Sequence, residues 1–221
     1  MLRVKNTQDD SFKFYYNKLH NLIENFVEDV ISSLDGKNVV NSFSNVFSYL
    51  TDIYVDTFQG ELEYIIKTLG FEYTDSEMNS IRNGVLPTSY VNSNYKRVLD
   101  IFSNYVRDIY DKKTSGLSNS DIIETYKPII ERVATSELHN VIEKSSVESA
   151  KLLQIASNQK ILKIWNCNHD GLTCPICLAL DGTVVGVEEV FTFDDNSLDY
   201  TGGDIAYAHP RCRCWLTYKK A

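Results

Sequence analysis

Apolar residues recur with a helical period along the chain up to about residue 157. In residues 19–34 they lie three and four positions apart, the spacing that places side chains on one face of an amphipathic α-helix. The same spacing returns in residues 46–69, 98–110 and 122–133. Gly36 and Gly70 follow the first two patterns, and glycine often ends a helix. The pattern therefore predicts a series of long amphipathic helices.

Short polar sequences mark where these helices begin and end. Residues 74–77 have the sequence TDSE, a capping box that would begin a short helix ending before Gly84. The stretch DKKTSGLSNS, residues 111–120, is polar and contains glycine and several serines, so it is the best candidate for a linker. We therefore expect residues 1–115 to form a helical docking and scaffolding region.

A second helical stretch, residues 121–157, begins the C-terminal part of the chain, residues 121–221. Pro128 lies within this stretch. Proline is tolerated in the first turn of a helix but removes a hydrogen bond from its interior. We therefore expect a fresh helix that has Pro128 in its first turn.

The hydrophobic pattern changes to a strand-like one after residue 158. KILKIW, residues 160–165, alternates apolar and polar positions. Residues 178–187, LALDGTVVGV, predict a strand, an Asp-Gly turn at 181–182 and a second strand. An acidic loop, residues 188–204, and a last alternating segment follow. The predicted fold is mainly α, with long N-terminal amphipathic helices followed by a small Cys-rich α+β module with a β-hairpin, residues 160–221.

The charge of the chain is negative and evenly spread. Its 221 residues include 22 basic and 30 acidic side chains, a formal charge of −8. Because DNA binding depends on neutralising phosphates, this charge argues against nucleic acid as the principal partner. No stretch approaches the roughly 20 apolar residues of a membrane span, so we expect no membrane contact. One short basic stretch is expected to contact DNA or an acidic partner: Arg211, Arg213, Lys219 and Lys220.

All five cysteines lie in the last part of the chain. In a reducing cytoplasm, close-spaced cysteines are typical of metal ligands or redox groups. A CxxC turn places two sulfurs at a spacing that fits one tetrahedral metal, and the hairpin would bring the later HxxCxC segment towards it. A structural metal or disulfide-linked cluster and plain thiols in a small core remain open alternatives. The candidate ligands are Cys174, Cys177, His209, Cys212 and Cys214, with Cys167 as a substitute for one of them.

The same cysteines leave a second class of function open, a cysteine-dependent enzyme or thiol redox protein. Cys174 or Cys212 would be the nucleophile, and a nearby cation would have to lower its pKa. The candidate cations are Arg211, Arg213 and His209.

The remaining histidines do not complete a catalytic motif. Zinc deaminases have His-x-Glu before Pro-Cys-x-x-Cys, whereas His169 is followed by Asp170 and Gly171. His20 and His139 stand alone on predicted helices, so we expect each to be solvated or to have a structural partner. We therefore expect no enzymatic activity.

The order of residues in the C-terminal part resembles a known family. The motif W(x)4D(x)3CxxCxxLDG…HPxCRC resembles the C-terminal module of the phage Mu F-like head morphogenesis family, the minor head proteins of tailed bacteriophages. The resemblance covers residues 121–221. It departs from the family at Ala134, where an arginine is usual. The matching residues are Trp165, Asp170, Cys174, Cys177, Leu180, Asp181, Gly182, His209, Pro210, Cys212, Arg213 and Cys214, with Glu137 and Asn140 upstream.

The resemblance implies a minor structural component of a virion, assembled in the cytoplasm of the bacterial host. Such proteins act in head morphogenesis near the portal, in several copies, with the portal protein or the inner capsid as partner and packaged DNA as a further contact. No catalytic activity of its own is implied. A module of about sixty residues is marginal for an independent core, so we expect one structural zinc ion or a disulfide to stabilise it.

Overall fold

A computed structural model of the chain describes residues 10–32, 36–83, 88–193 and 203–221. The predicted end of the first helix at Leu34, the glycine at 84 and residues 194–202 of the acidic loop lie outside these ranges.

Long helices dominate the described residues before position 158, as predicted. The face that α1 buries includes Leu19, Ile23 and Phe26, which follow the predicted spacing. Gly36 begins α2 and does not end the first helix. The sequence did not distinguish these positions, because a glycine before an apolar run is compatible with both. No helix within the described ranges is long and apolar enough to cross a lipid bilayer. The helices are α1 (Asp10–Ser32), α2 (Gly36–Leu69), α3 (Asp75–Asn83), α4 (Thr88–Thr114) and α5 (Asn119–Ser157).

The predicted caps of α2 and α3 are present. Gly70 has a φ of 63°, and the N–H of Phe71 donates to the carbonyl of Ile66 at 3.0 Å. The capping box before α3 is reciprocal: the Thr74 N–H donates to a Glu77 carboxylate oxygen at 2.8 Å, and the Glu77 N–H donates to Thr74 Oγ1 at 3.3 Å. Both caps are formed by residues that lie close together along the chain, so they could be predicted from the sequence.

The linker between α4 and α5 is shorter than predicted. α4 continues to Thr114, so only residues 115–118 of the predicted 111–120 connect the two helices. Ser118 caps α5 by accepting the N–H of Asp121 at 3.2 Å. Asn158 ends α5 in the left-handed conformation, with a φ of 51°.

The expectation of a fresh helix at Pro128 is wrong, because α5 is continuous through it. Pro128 is exposed, so the carbonyl that loses its helical partner at Glu124 can be hydrated. Tyr126 and Ile130, on either side, are both buried in the core. Burial of these flanking residues outweighs the lost hydrogen bond.

Helix α5 joins the two parts of the chain. It packs against α1 and α2 and also contacts two strands of the C-terminal sheet. Serines allow a close approach to α2: Ser145 Oγ donates to Thr57 Oγ1 at 2.8 Å, and Ser149 Oγ donates to the Phe58 carbonyl at 2.9 Å. One apolar core is continuous from the first helix to the last strand.

The C-terminal sheet has three antiparallel strands. They are β1 (Ile161–Asn166), β2 (Val184–Gly186) and β3 (Trp215–Lys220), in the order β2-β1-β3. Alternate residues of β1 are buried, namely Ile161, Lys163 and Trp165. The predicted strand at KILKIW and the predicted last strand are confirmed.

The first strand of the predicted hairpin is wrong. Residues 175–180 form a short helix, α6 (Pro175–Leu180), with Cys174 as its N-cap and Pro175 in its first turn. The predicted turn exists, with Gly182 at a φ of 75°, but it connects α6 to β2. The Gly182 N–H donates to the Trp165 carbonyl at 2.9 Å, which places the turn beside β1. β2 therefore pairs with β1 and not with residues 178–180, whose apolar pattern is too short to separate strand from helix.

Candidate metal centre

The five cysteines converge at one end of the sheet. None forms a disulfide, and Cys174 alone is partly exposed while the others are buried. Cys167 follows β1, the CxxC pair lies at the start of α6, and the last two precede β3. The structure thus brings together all the metal ligands expected from the sequence: Cys174, Cys177, His209, Cys212 and Cys214.

Local backbone geometry points the ligands towards each other. The Cys174 sulfur accepts the N–H of Cys177 at 3.3 Å, so the two CxxC residues lie in one turn of α6. In the second segment the Cys212 N–H donates to the His209 carbonyl at 3.0 Å. This turn requires Arg211 at a φ of 63°, a left-handed conformation that costs a non-glycine residue about 1 kcal/mol or more. The strain is located between two candidate ligands.

The ligand atoms form two groups that share Cys177. Its sulfur lies 3.6 Å from His209 Nε2 and 3.8 Å from the Cys212 sulfur. Within each group, Cys174–Cys177–His209 and Cys177–Cys212–Cys214, all ligand atoms lie within 4.8 Å of one another. A tetrahedral zinc site, with Zn–S of about 2.3 Å and Zn–N of about 2.0 Å, has edges of roughly 3.8 Å and 3.6 Å. The two measured distances fit such a site.

His209 has the hydrogen bond typical of a metal ligand. Its Nδ1 lies 2.8 Å from the carbonyl oxygen of Pro210, which assigns the ring proton to Nδ1. Nε2, which faces Cys177, is then left with its lone pair available. Metal-binding histidines usually donate their second ring N–H to a carbonyl or carboxylate in this way.

A small cavity of about 20 Å³ lies beside these side chains, large enough for one water molecule or ion. Four of the candidate ligands line it, namely Cys174, Cys177, His209 and Cys214. Cys212 is more deeply buried, with an exposed fraction of 1%, and its sulfur lies 3.5 Å from the carbonyl oxygen of Ala206. The cluster could hold a metal ion: these four residues line the cavity, and Cys177 is the ligand common to both close groups.

One residue of the site was not found from the sequence. His139 on α5 is buried, its Nε2 lies 3.0 Å from the Ala206 carbonyl oxygen, and it also hydrogen-bonds the Cys212 thiol. Although burial lowers the pKa of His139, the hydrogen bond with Cys212 and the charge of Glu143 raise it above its usual value. The expectation of a structural partner for His139 is confirmed, but no sequence signal links it to Cys212.

The interactions among the thiols of Cys177, Cys212 and Cys214 shift the pKa values of Cys177 and Cys212 in opposite directions. Hydrogen bonds from the thiols of Cys177 and Cys214 hold the pKa of Cys212 below its usual range, and the pKa of Cys177 is raised in return. These hydrogen bonds favour Cys212 over Cys177 as the thiol that loses its proton first.

An ion pair joins the loop before α6 to the segment before β3. Arg213 donates two hydrogen bonds to Asp170, at 2.7 and 2.6 Å. The Arg213 guanidinium holds the pKa of this carboxyl well below its usual range. Because Arg213 stands between Cys212 and Cys214, this contact ties the loop before α6 to the segment before β3.

Two of the three other cations that we expect to contact a partner already contact side chains of this chain. Arg211 lies 3.7 Å from Glu131, an exposed pair, and Lys220 lies over the ring of Phe71 at 4.0 Å. Lys219 is exposed on β3. Their role in binding a partner or DNA stays a prediction.

The remaining motif residues support the same module. Trp165 is fully buried, packs edge-on against Phe191 with ring centroids 5.2 Å apart, and lies beside Cys214. Glu137 on α5 is buried and forms a bidentate ion pair with Arg97 of α4. A guanidinium therefore reaches the Glu137 carboxylate from another helix, although Ala134 stands where the family has arginine.

No protein-family model, curated protein or solved structure matches this chain. Its function has to be inferred from the residues of the site and from their order along the chain.

Proposed function

We propose that this protein is a minor structural component of a tailed-phage or prophage head, acting in head morphogenesis at or near the portal. The main support is that motif residues distant in sequence meet in space. Asp170 pairs with Arg213, Trp165 lies beside Cys214, and the CxxC pair faces His209. The motif is thus one structural unit, as expected if its order reflects descent from a common module.

One zinc ion would complete this unit. Cys174, Cys177, His209 and Cys214 supply three sulfurs and one nitrogen around the cavity. A Cys₃His set is common in structural zinc sites, where the ion contributes directly to folding. It would tie α6 to the segment before β3, and its contribution to stability is on the order of several kcal/mol. Cys212 would remain a fifth sulfur at the edge of the site.

The helices offer a surface for the portal protein or the inner capsid. An apolar cleft of about 120 Å³ lies between α1, α2 and α4. Two of its lining residues are exposed, Val40 by 61% and Leu99 by 38%. Exposed apolar clefts of this kind often bind protein partners. DNA is the weaker partner in this proposal, because Arg213 is already paired with a carboxylate.

Capture of the portal protein tests this surface. Tagged protein from infected or induced cells should recover the portal protein, and Leu99→Asp should reduce recovery because it places a charge in the cleft. Ile155→Asp is the matched control, since Ile155 is an apolar residue exposed by 74% on α5, outside the lining of the cleft. Equal recovery by both variants would contradict the assignment of the cleft, and no recovery by the unmodified protein would contradict the portal as partner.

One observation favours the alternative, a cysteine-dependent enzyme or thiol redox protein. Cys212 lies beside His139 and has a lowered pKa, as a nucleophilic cysteine would. Both side chains are buried, with exposed fractions of 1% and 7%, so a substrate could not reach them without a change of structure. A thiol-dependent activity that Cys212→Ser abolishes would support the enzyme.

A further inference from the structure

A second group of potential metal ligands lies on the other side of the loop that precedes α6. It consists of Cys167, His169 and Asp181, whose ligand atoms all lie within 4.8 Å of one another. His169 Nε2 is 2.9 Å from Asp181 Oδ2. None of the three lines the cavity of the first site, so the group is separate.

The backbone holds these three side chains in place. Cys167 and His169 lie two positions apart in the loop after the end of β1, where the Asp170 N–H donates to the Asn168 carbonyl at 2.8 Å. Asp181 follows the last residue of α6, and its Oδ1 accepts the Cys167 N–H at 2.8 Å. This hydrogen bond fixes the carboxylate and leaves Oδ2 directed at His169. The turn at Gly182, bonded to Trp165, fixes the position of Asp181 relative to β1.

The buried sulfur distinguishes this group from an ordinary surface ion pair. An exposed histidine–carboxylate pair contributes at most about 1 kcal/mol and needs no third partner. Here the sulfur of Cys167, exposed by only 4%, faces the same carboxylate. Sulfur, nitrogen and oxygen atoms thus lie within 4.8 Å of one another, and zinc accepts all three ligand types.

We propose that Cys167, His169 and Asp181 form a second metal site, which binds a divalent transition metal ion such as Zn²⁺. His169 is exposed by 69%, so the site opens to solvent and water takes the fourth position. Three protein ligands and one open position distinguish it from the closed Cys₃His set of the first site. On binding, the thiol of Cys167 loses its proton to solvent, a sulfur–metal bond forms, and no electron is transferred. This site is independent of the role in the virion.

Metal stoichiometry tests the second site. The full chain, equilibrated with Zn²⁺ and freed of unbound metal, should contain two zinc ions per chain by elemental analysis. His169→Ala should contain one, and because this side chain is exposed its loss leaves the fold intact, which circular dichroism would verify. His20→Ala is the matched control, on α1 and far along the chain, and should retain two.

Cobalt provides a second measurement that separates the two sites. The first equivalent of Co²⁺ should give the strong thiolate absorption of a site with three sulfurs, and the second a weaker increment from one sulfur. Cys167→Ser should lose only the weaker increment and keep the stronger one. If His169→Ala and Cys167→Ser bind as many ions as the unmodified chain, the second site does not exist.

Discussion

The helical region, residues 10–157, and the Cys-rich module, residues 160–221, are stabilised in different ways. The helices bury long apolar faces against each other, with contacts such as Phe26 against Phe102 at 4.7 Å between ring centroids. Within its described residues, 160–193 and 203–221, the module has three short strands and a six-residue helix. Its order depends on specific polar contacts and on sulfur, as in the pairing of Asp170 with Arg213.

This difference shows how function and stability are divided along the chain. Helices with large apolar faces tolerate change at single exposed positions, because many small contributions add up. In the module a few residues determine the geometry, and they are the residues of the family-like motif. We therefore expect the module to need these residues for folding.

Removal of the CxxC sulfurs should have the largest effect. Cys174→Ser with Cys177→Ser removes two candidate ligands, at an expected cost on the order of several kcal/mol in the metal-bound protein. We expect trypsin to cleave after Lys160 or Lys163, while the helical circular dichroism persists. Lys163 is fully buried on β1, so cleavage there reports opening of the sheet. A chelator should reproduce the effect in the unmodified protein, and a double variant as resistant as the parent would contradict a stabilising metal.

A cavity in the helical core should be almost as destabilising but insensitive to metal. Leu50 on α2 is fully buried, so Leu50→Ala should lower the free energy of unfolding by about 2–5 kcal/mol. Denaturant unfolding followed by the helical signal should give the same loss with zinc and with chelator. Val40→Ala, at an exposed position of the same helix, should change little. A loss at Leu50 that vanishes without metal would show that the two regions are not stabilised separately.

Loss of the Arg213–Asp170 contact should loosen the metal site without unfolding the module. Arg213→Ala frees the loop before α6, and we expect about a tenfold weaker metal affinity, within the range seen when residues supporting a site are replaced. Competition with a chromophoric chelator measures this. Lys219→Ala is the matched control, because Lys219 is an exposed cation on β3 outside the lining of the cavity and should leave the affinity nearly unchanged. Equal effects of both changes would indicate a general loss of positive charge.

The buried lysine of β1 should make stability depend on pH. Burial lowers the pKa of Lys163 to about 8, below the value of about 10.4 for lysine in an unfolded chain. Between these pH values the unfolded chain binds more protons than the folded one, so this group makes the free energy of unfolding rise with pH. Lys163→Met should lack that contribution, and the difference between the two proteins across this range isolates it from tyrosine and cysteine titration. A difference that falls with rising pH would contradict the assigned shift.

The helices and strands that depend on local signals could be predicted from the sequence. Helical spacing located α1, α2, α4 and α5, and the capping box at Thr74 fixed the start of α3. The prediction of a helix start at Pro128 was wrong because the free-energy cost of a proline inside a helix is offset by the packing of buried neighbours, which the local sequence does not show. The prediction of a strand at residues 178–180 was wrong because a pattern of three positions fits a strand and a short helix equally well.

The site could be predicted only in part. Close spacing along the chain revealed the CxxC pair and the HxxCxC segment. The approach of His139 to Cys212, and of Asp181 to Cys167, depends on how α5 and the turn at Gly182 pack against the sheet. These contacts join distant parts of the chain, and no periodic pattern encodes them.

The composition of purified heads tests the proposed function most directly. Quantitative mass spectrometry of particles from infected or induced cells should find this protein together with the portal protein, in several copies and far below the number of major capsid subunits. Its absence from purified heads, with the protein present in the same cells, would contradict the role of a head protein.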